Sequence, residues 1–240
     1  MFAVKYGQPD NGAHPYVGLL VFYDNSGTPQ WRCTGTLIAP RLMVTAAHCT
    51  ELEAGAQVWF NENVDTVPGY PLSGGITGHA DASPWWQGGL YLPNTGDVGV
   101  VVLDQDVPGP YGSLAPAGAL DSLATQRGQQ DTTFTVVGYG LQSVKPALSA
   151  FRQRLVAGVH LVNLNSALND GYNLQTSNNP GRGNGGPGGT CFGDSGGPIF
   201  SPAGQIVAVN SFVLNENCAG ASFGYRTDRQ EVIDWVLGPH

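Results

Sequence analysis

The sequence is poor in charged side chains, which make up 12% of its 240 residues, and it contains only two lysines, Lys5 and Lys145. Ten Lys and Arg stand against 18 Asp and Glu, which gives a formal net charge of −8. A surface that binds nucleic acid or anionic lipid needs clustered cations, so we expect neither partner. The sequence also lacks an apolar run of about 18 residues, which excludes a helix that spans a bilayer.

Metal-binding signatures are lacking as well. The sequence has no His-Glu-x-x-His motif, no EF-hand loop and no closely spaced cysteine pair. We therefore expect no metal and no cofactor.

The four cysteines predict two disulfides and an oxidising compartment, with zinc or free thiols as the alternative. Four cysteines allow three pairings, and proximity in the sequence favours Cys33–Cys49 and Cys191–Cys218. The first residues contain no apolar segment of signal-peptide length. Either the chain stays inside the cell, or Met1 is a start codon fitted to a mature domain. Because the cysteines indicate an oxidising compartment, we expect a secreted protein whose signal and any propeptide are absent from this chain.

Glycine and proline together form about a fifth of the chain, well above the average share, which argues against long helices. Short apolar runs separated by turn residues predict strands and indicate an all-β barrel or sandwich. The predicted strands are Val17–Tyr23, Gly35–Ile38, Leu42–Ala46, Gln57–Phe60, Gly99–Leu103, Phe134–Gly138, Arg154–Val162, Pro198–Phe200, Ile206–Phe212 and Phe223–Tyr225.

One helix is predicted near the C-terminus. Asp228 is a candidate cap, Glu231 follows as in a capping box, and Gly238-Pro239 ends the apolar stripe that starts at Val232. The segment Pro110–Ala124, rich in Pro, Gly, Ala and Ser, predicts a connection between two β halves of similar size.

Three segments contain residues suited to nucleophilic catalysis. They are Thr45–Cys49, which contains His48, Gly96–Leu103, which contains Asp97, and Gly193–Pro198, which contains Ser195. A serine hydroxyl becomes a nucleophile only when a base takes its proton and an acid orients that base. Glycines beside the serine let the backbone N–H groups of Gly193 and Ser195 point at a developing oxyanion. Taken singly, each residue has a structural interpretation: a turn serine, a core histidine and an aspartate at the start of a strand.

These segments together resemble the chymotrypsin/trypsin family of serine endopeptidases. The resemblance also covers Cys33–Ile38, Val137–Gly140, the order His-Asp-Ser and the C-terminal helix, and so most of the chain. It implies two six-stranded antiparallel β-barrels packed together, residues 1–112 with His48 and Asp97 and residues 113–240 with Ser195. It further implies a monomer that hydrolyses protein or peptide substrates and can bind protein inhibitors.

The resemblance also assigns roles to individual residues. Ser195 would be the nucleophile, His48 the general base and Asp97 its orienting acid, and both proximal cysteine pairs match family disulfides. Ser211 would lie beside Asp97, on a strand that pairs with the substrate backbone. The expected substrate-binding residues are Gly189, Thr190, Ser211, Phe212, Val213 and Phe223.

The specificity pocket is expected to accept an uncharged, small side chain at P1, the residue whose carbonyl is attacked. Gly189 stands where trypsin-like members have an aspartate, which argues against Arg or Lys at P1. Val213 stands where open-pocket members have glycine, Phe223 stands near another wall position, and Phe212 replaces the usual Trp; bulky walls shrink the pocket.

The N-terminus departs from the family pattern. Family members are usually activated by cleavage that frees an Ile-Val-Gly-Gly-type terminus, whose ammonium pairs with the aspartate before the nucleophile. Asp194 is present, but the chain begins Met1-Phe2-Ala3-Val4. Either Val4 becomes a new terminus or another cation serves Asp194, because a buried, unpaired carboxylate is costly.

Two other functions fit parts of the sequence. Gly193, Ser195 and Gly197 also satisfy the nucleophile-elbow pattern of α/β-hydrolases, but the only histidine after Ser195 is His240, the last residue. The second is a non-catalytic or zymogen-like binding module on a protease scaffold, because a fold does not determine a function.

Overall fold

The computed structural model describes residues 4, 7–51, 54–124, 132–142, 148–178 and 188–240, and their regular secondary structure is mainly strands. The strands are β1 (Gln8–Pro9), β2 (Val17–Tyr23), β3 (Pro29–Ala39), β4 (Leu42–Thr45), β5 (Gly55–Trp59), β6 (Ile76–Ala82), β7 (Gly99–Leu103), β8 (Thr133–Gly138), β9 (Leu155–Asn163), β10 (Asn173–Asn178), β11 (Pro198–Phe200), β12 (Ile206–Val213) and β13 (Gly220–Arg226). Short helices form at α1 (Ala47–Thr50), α2 (Asp121–Ala124) and α3 (Gln230–Val236), with a 3-10 turn at Val64–Thr66.

The first barrel closes in the order β2-β3-β4-β7-β6-β5, and its strand pairs are antiparallel. Closure leaves no open sheet edge and places every second side chain inside. The buried apolar interior includes Leu20, Phe22, Met43, Val58 and Leu103.

The second barrel closes in the order β8-β9-β10-β13-β12-β11, since β11 pairs back with β8. Its core includes Phe134, Leu155, Val159, Leu174 and Ile199. The prediction of two six-stranded antiparallel barrels is therefore confirmed. The short strand β1 pairs with β9, so the first strand of the chain joins the second barrel, and the division at residues 112 and 113 stays a prediction.

The barrels pack against each other through a shared apolar cluster. Leu19 and Val44 of the first barrel and Val137, Val209 and Tyr225 of the second are among its fully buried members. Close-packed apolar side chains hold two elements rigidly against each other. Side chains from both barrels can therefore meet in a defined geometry at the junction.

Segment Pro110–Ala124, predicted to be the connection, joins the two barrels through backbone hydrogen bonds. Gly112 N–H donates to Leu37 O of the first barrel (2.9 Å), and Ala115 N–H donates to Ile206 O of the second (2.9 Å). The segment ends in α2, which the sequence pattern does not predict.

The ten predicted strands are found, three of them with the predicted bounds and seven with shifted ends, and β1, β6 and β10 were missed. β10 reads Asn-Leu-Gln-Thr-Ser-Asn, and few apolar residues mark it as a strand. It lies between β9 and β13, where the buried Thr176 hydroxyl hydrogen-bonds Ser222 Oγ across the sheet at 2.9 Å. Tertiary pairing thus stabilises a strand whose local composition is polar.

The predicted C-terminal helix is confirmed, but its predicted cap is wrong. The N-cap is Arg229, which makes no side-chain capping bond. Asp228 is fully buried and instead accepts hydrogen bonds from Leu120 N–H and the Arg226 guanidinium, each at 2.8 Å. A charged partner competes better for a buried carboxylate than the helix N–H groups do. No helix among the described residues is long and apolar enough to cross a membrane.

Candidate active site

His48 and Asp97 meet because their strands are neighbours. His48 lies on α1, directly after β4, and Asp97 lies just before β7. These strands pair with Thr45 opposite Gly99, so the end of one meets the start of the other. Residues 49 positions apart in the chain are thereby brought into hydrogen-bond contact.

Asp97 is fully buried and accepts hydrogen bonds from two groups of His48. One carboxylate oxygen lies 2.9 Å from the His48 backbone N, and the other lies 2.8 Å from Nδ1 of the ring. The Ser211 hydroxyl also donates to Asp97. With the proton on Nδ1 directed to Asp97, Nε2 is the ring nitrogen left to act as a base.

The electrostatics of this pair favour a charged imidazole. Burial disfavours the imidazolium, but the negative charge and the hydrogen bond of Asp97 outweigh it and raise the pKa of His48 above its ordinary value of 6.5. A histidine in this setting is a stronger base than a free one.

The segment that contains Ser195 is held by the first barrel. Thr34 of β3 donates its N–H to Ser195 O (2.8 Å) and its hydroxyl to Gly193 O (2.8 Å). On the other side, Gly196 N–H donates to Asn210 O at 2.7 Å. Ser195 is half-buried and borders the same cavity as His48.

Two backbone donors beside Ser195 are unused. Gly193 has φ +98°, a conformation that favours glycine, and a Cβ there would lie 3.0 Å from Gly140 Cα. Among the described residues, no protein acceptor bonds the N–H of Gly193 or of Ser195. Two free N–H groups, from the serine itself and from a glycine two residues before it, suit the stabilisation of an oxyanion.

Asp194 is fully buried directly behind this turn. Its carboxylate accepts N–H bonds from Gly140 (2.8 Å) and Cys191 (2.9 Å). It makes no ion pair within the described part of the chain. Burial raises the pKa of Asp194 to about 7, against the two N–H donors and the longer-range attraction of Arg32. A cation in ion-pair contact with Asp194, as the family pattern predicts, is not found among these residues.

A cavity of about 350 Å³ opens beside Ser195 and His48. It is bordered by His48, Leu90, Thr190, Cys191, Phe192, Ser195, Asn210, Ser211, Phe212 and Val213. Four of the six expected substrate-binding residues are in this set. Sequence reasoning missed Leu90 and Phe192, and it included Asn210 only as the residue before Ser211 on the strand expected to pair with the substrate backbone.

Gly189 and Phe223, the other two expected residues, lie behind this lining. Phe223 is buried and stacks on Phe212 with ring centroids 4.5 Å apart. Gly189 is buried too, and a Cβ there would lie 1.5 Å from Oδ1 of Asn178. The Asn178 side chain therefore occupies the space that a larger residue at position 189 would need.

The two disulfides tie these segments together. Cys33–Cys49 and Cys191–Cys218 are both formed, as predicted from proximity and from the family resemblance. Cys33 and Cys49 also lie near His48 in a group whose ligand atoms are within 4.8 Å of one another. Because both sulfur atoms are in a disulfide, neither is a thiolate available to a metal.

The two barrels and the site between them define a chymotrypsin-like fold. HL collagenase matches with a TM-score of 0.73 at 17% identity, covering 98% of this chain and 96% of that one. Human heparin binding protein matches with a TM-score of 0.68 at 20% identity, covering 99% and 100% of the two chains. A comparison with curated protein sequences found no match. The family model described as Trypsin matches residues 5–236, and the chain therefore belongs to the trypsin family.

Proposed function

We propose that the protein is a serine endopeptidase that hydrolyses peptide bonds through an acyl-enzyme on Ser195. The observation that supports this most directly is that Ser195 and His48 border one cavity while His48 Nδ1 bonds the buried Asp97 at 2.8 Å. Membership of the trypsin family supports the same reaction class.

The proposed reaction assigns one step to each of these groups. Ser195 Oγ attacks the substrate carbonyl carbon while its proton passes to His48 Nε2, and the carbonyl oxygen becomes an oxyanion between the N–H groups of Gly193 and Ser195. His48 then donates that proton to the leaving amine as the C–N bond breaks, which leaves the acyl ester on Ser195. Water attacks this ester by the same route and regenerates the hydroxyl.

We propose an uncharged, small P1 residue. His48 is the only titratable side chain on the described lining of the cavity, so a cationic P1 group would find no carboxylate to pair with, and an anionic one would meet only the catalytic imidazole. Phe212 and Val213 border the cavity, and Phe223 supports Phe212 from behind.

The setting proposed for this activity is extracellular. Trypsin-like proteases with disulfides are typically secreted, and both disulfides are formed here. We propose a monomer whose partners are protein or peptide substrates and protein inhibitors.

One observation favours a zymogen-like or non-catalytic state as the second candidate. Asp194 is buried without an ion pair in the described part of the chain, where the family pattern predicts a cation. The name of human heparin binding protein indicates a binding role on this fold. Heparin is a polyanion, however, and this chain has a net charge of −8, which does not favour the same ligand.

The test is the intact mass of the protein after treatment with a fluorophosphonate, which labels only an activated serine. We expect one adduct on the wild type, none on Ser195→Ala, and one on the control Ser122→Ala, since Ser122 is exposed on α2. Absence of an adduct on folded, disulfide-bonded wild type would reject the protease and favour the second candidate.

A further inference from the structure

The side chain of Asn210 is a buried amide next to the candidate nucleophile. Asn210 lies on β12 and is 3% exposed. Its backbone is held by hydrogen bonds to both sides of the nucleophile turn, from its N–H to Gly197 O (2.8 Å) and from Gly196 N–H to its own O (2.7 Å). The residue borders the cavity that Ser195 and His48 share, so its position relative to Ser195 is fixed by the backbone.

Neither polar atom of this amide is satisfied by the protein. Nδ2 and Oδ1 of Asn210 are both buried and have no hydrogen-bond partner among the described residues. Buried amides are normally bonded, because an unpaired one loses its hydration without replacement. Because the amide is unpaired and its residue borders the cavity, a ligand that reaches the amide can supply the missing hydrogen bonds.

A second amide behind the cavity is also incompletely bonded. Asn178 donates from Nδ2 to the O of Thr190 (2.9 Å), a residue that borders the cavity, while its buried Oδ1 has no partner in the described part of the chain. The nearby polar pair Thr176 and Ser222 differs, since each hydroxyl satisfies the other at 2.9 Å. Unpaired buried polar atoms also occur at seven other described residues, but Asn210 is the one among these nine residues that borders the cavity.

The chemistry of the cavity favours a neutral ligand that both donates and accepts. The described lining offers no carboxylate, ammonium or guanidinium group to pair with a charged side chain. An apolar side chain would leave both atoms of the Asn210 amide without partners. A primary carboxamide carries a donor and an acceptor on one carbon and can bond Nδ2 and Oδ1 together.

We propose that Asn210 is a specificity-determining residue and that the cavity receives a carboxamide side chain, Gln or the shorter Asn, at P1. This inference rests on the proposed peptidase function and keeps its preference for an uncharged P1 residue. It replaces small size by hydrogen bonding to Asn210 as the property that selects the P1 side chain. The sequence alone does not suggest this role, since Asn210 is distinguished only by preceding Ser211.

The first test compares turnover of peptides that differ only at P1. Gln is paired with Met, Asn with Leu, and Glu is included to test charge. For the wild type we expect kcat/KM for Gln or Asn to exceed that for its apolar partner by about tenfold or more. In Asn210→Leu, which keeps a similar volume, the ratio should fall to about one. The control Asn25→Leu, exposed in a turn of the first barrel, should keep the wild-type ratio.

The second test separates this proposal from catalysis itself. Ser195→Ala and the double variant Ser195→Ala/Asn210→Leu are titrated with product-like peptides that end in Gln or Met, with circular dichroism as a check of folding. Tighter binding of the Gln peptide by about tenfold, lost in the double variant, supports the proposal even if the wild type forms no fluorophosphonate adduct. Equal or tighter binding of the Met peptide overturns it, even if the wild type is an active protease.

Discussion

Asp97 and Asp194 are both fully buried carboxylates near the candidate nucleophile Ser195, but their partners differ in kind. Asp97 bonds two side chains, the His48 ring and the Ser211 hydroxyl, in addition to the His48 backbone N–H. Asp194 bonds only backbone, the N–H groups of Gly140 and Cys191. Asp97 can therefore stabilise a charge that forms on its neighbour, whereas Asp194 can only hold the turn in place.

The difference teaches that burial alone does not decide what an aspartate does. The negative charge of Asp97 raises the pKa of His48, because the two groups share a hydrogen bond. Asp194 has no such partner in the described residues, and burial raises its own pKa to about 7. The predictions below change one member of this comparison at a time.

The largest effect is expected from Asp97→Asn. If the amide oxygen accepts from the His48 backbone N–H, the N–H₂ group faces Nδ1 of the ring. It then favours the tautomer with its proton on Nε2, which cannot act as the base. We expect kcat/KM on a peptide ester to fall by about four orders of magnitude. A loss below tenfold, with unchanged circular dichroism, would contradict the role proposed for Asp97.

The pH dependence of stability should depend on Asp194. Its pKa is 3.8 in the unfolded chain and about 7 in the fold, so the folded state binds the proton more tightly. The free energy of unfolding contributed by this group is present below pH 4 and is lost as the pH rises through about 7, by at most about 1.4 kcal/mol per pH unit.

The measurement is urea unfolding between pH 4 and pH 7. In wild type, Asp194 and His48, whose pKa is also raised, both make the free energy of unfolding fall as the pH rises. Asp194→Asn removes the first contribution and keeps the second, so its slope should be less negative than that of wild type. The exposed Asp106→Asn is the control and should keep the wild-type slope. An unchanged slope in Asp194→Asn would show that another group, or a cation, balances this charge.

Gly140→Ala tests how closely the backbone encloses Asp194. A Cβ at position 140 would lie 2.5 Å from Asp194 Cγ and 2.7 Å from Asp194 N, so the turn must shift. We expect a loss of about 2 kcal/mol in the free energy of unfolding and slower fluorophosphonate labelling. Gly55→Ala is the matched control, because its nearest contact would be an ordinary 3.7 Å. Equal stability of the two variants would argue against tight packing around Asp194.

The smallest effect is expected from Ser211→Ala. The change removes one of three hydrogen bonds to Asp97 and leaves both bonds from His48 in place. We expect a cost of about 1 kcal/mol in stability and less than a tenfold change in kcat/KM. A loss as large as that of Asp97→Asn would show that Ser211, rather than Asp97 alone, orients His48.

The sequence predicts elements best where local chemistry and burial agree. Val17–Tyr23 and Gly99–Leu103 are apolar runs, and they form β2 and β7 within the predicted bounds. β10 was missed because its polar side chains are buried only through partners on other strands. Asp228 fits a helix cap by position, yet the Arg226 guanidinium competes for it from the preceding strand.

The sequence by itself singled out His48, Asp97 and Ser195, favoured the cysteine pairing that is formed, and indicated the family through its resemblance. These follow from short segments whose residue types and order are informative without any contact. Only the tertiary structure decided which buried polar groups have partners. Asp97 finds His48 and Ser211, while the Asn210 amide finds none among the described residues. Hydrogen bonding at a buried atom depends on segments that are distant in the chain, and no local sequence pattern predicts which of them will pack against that atom.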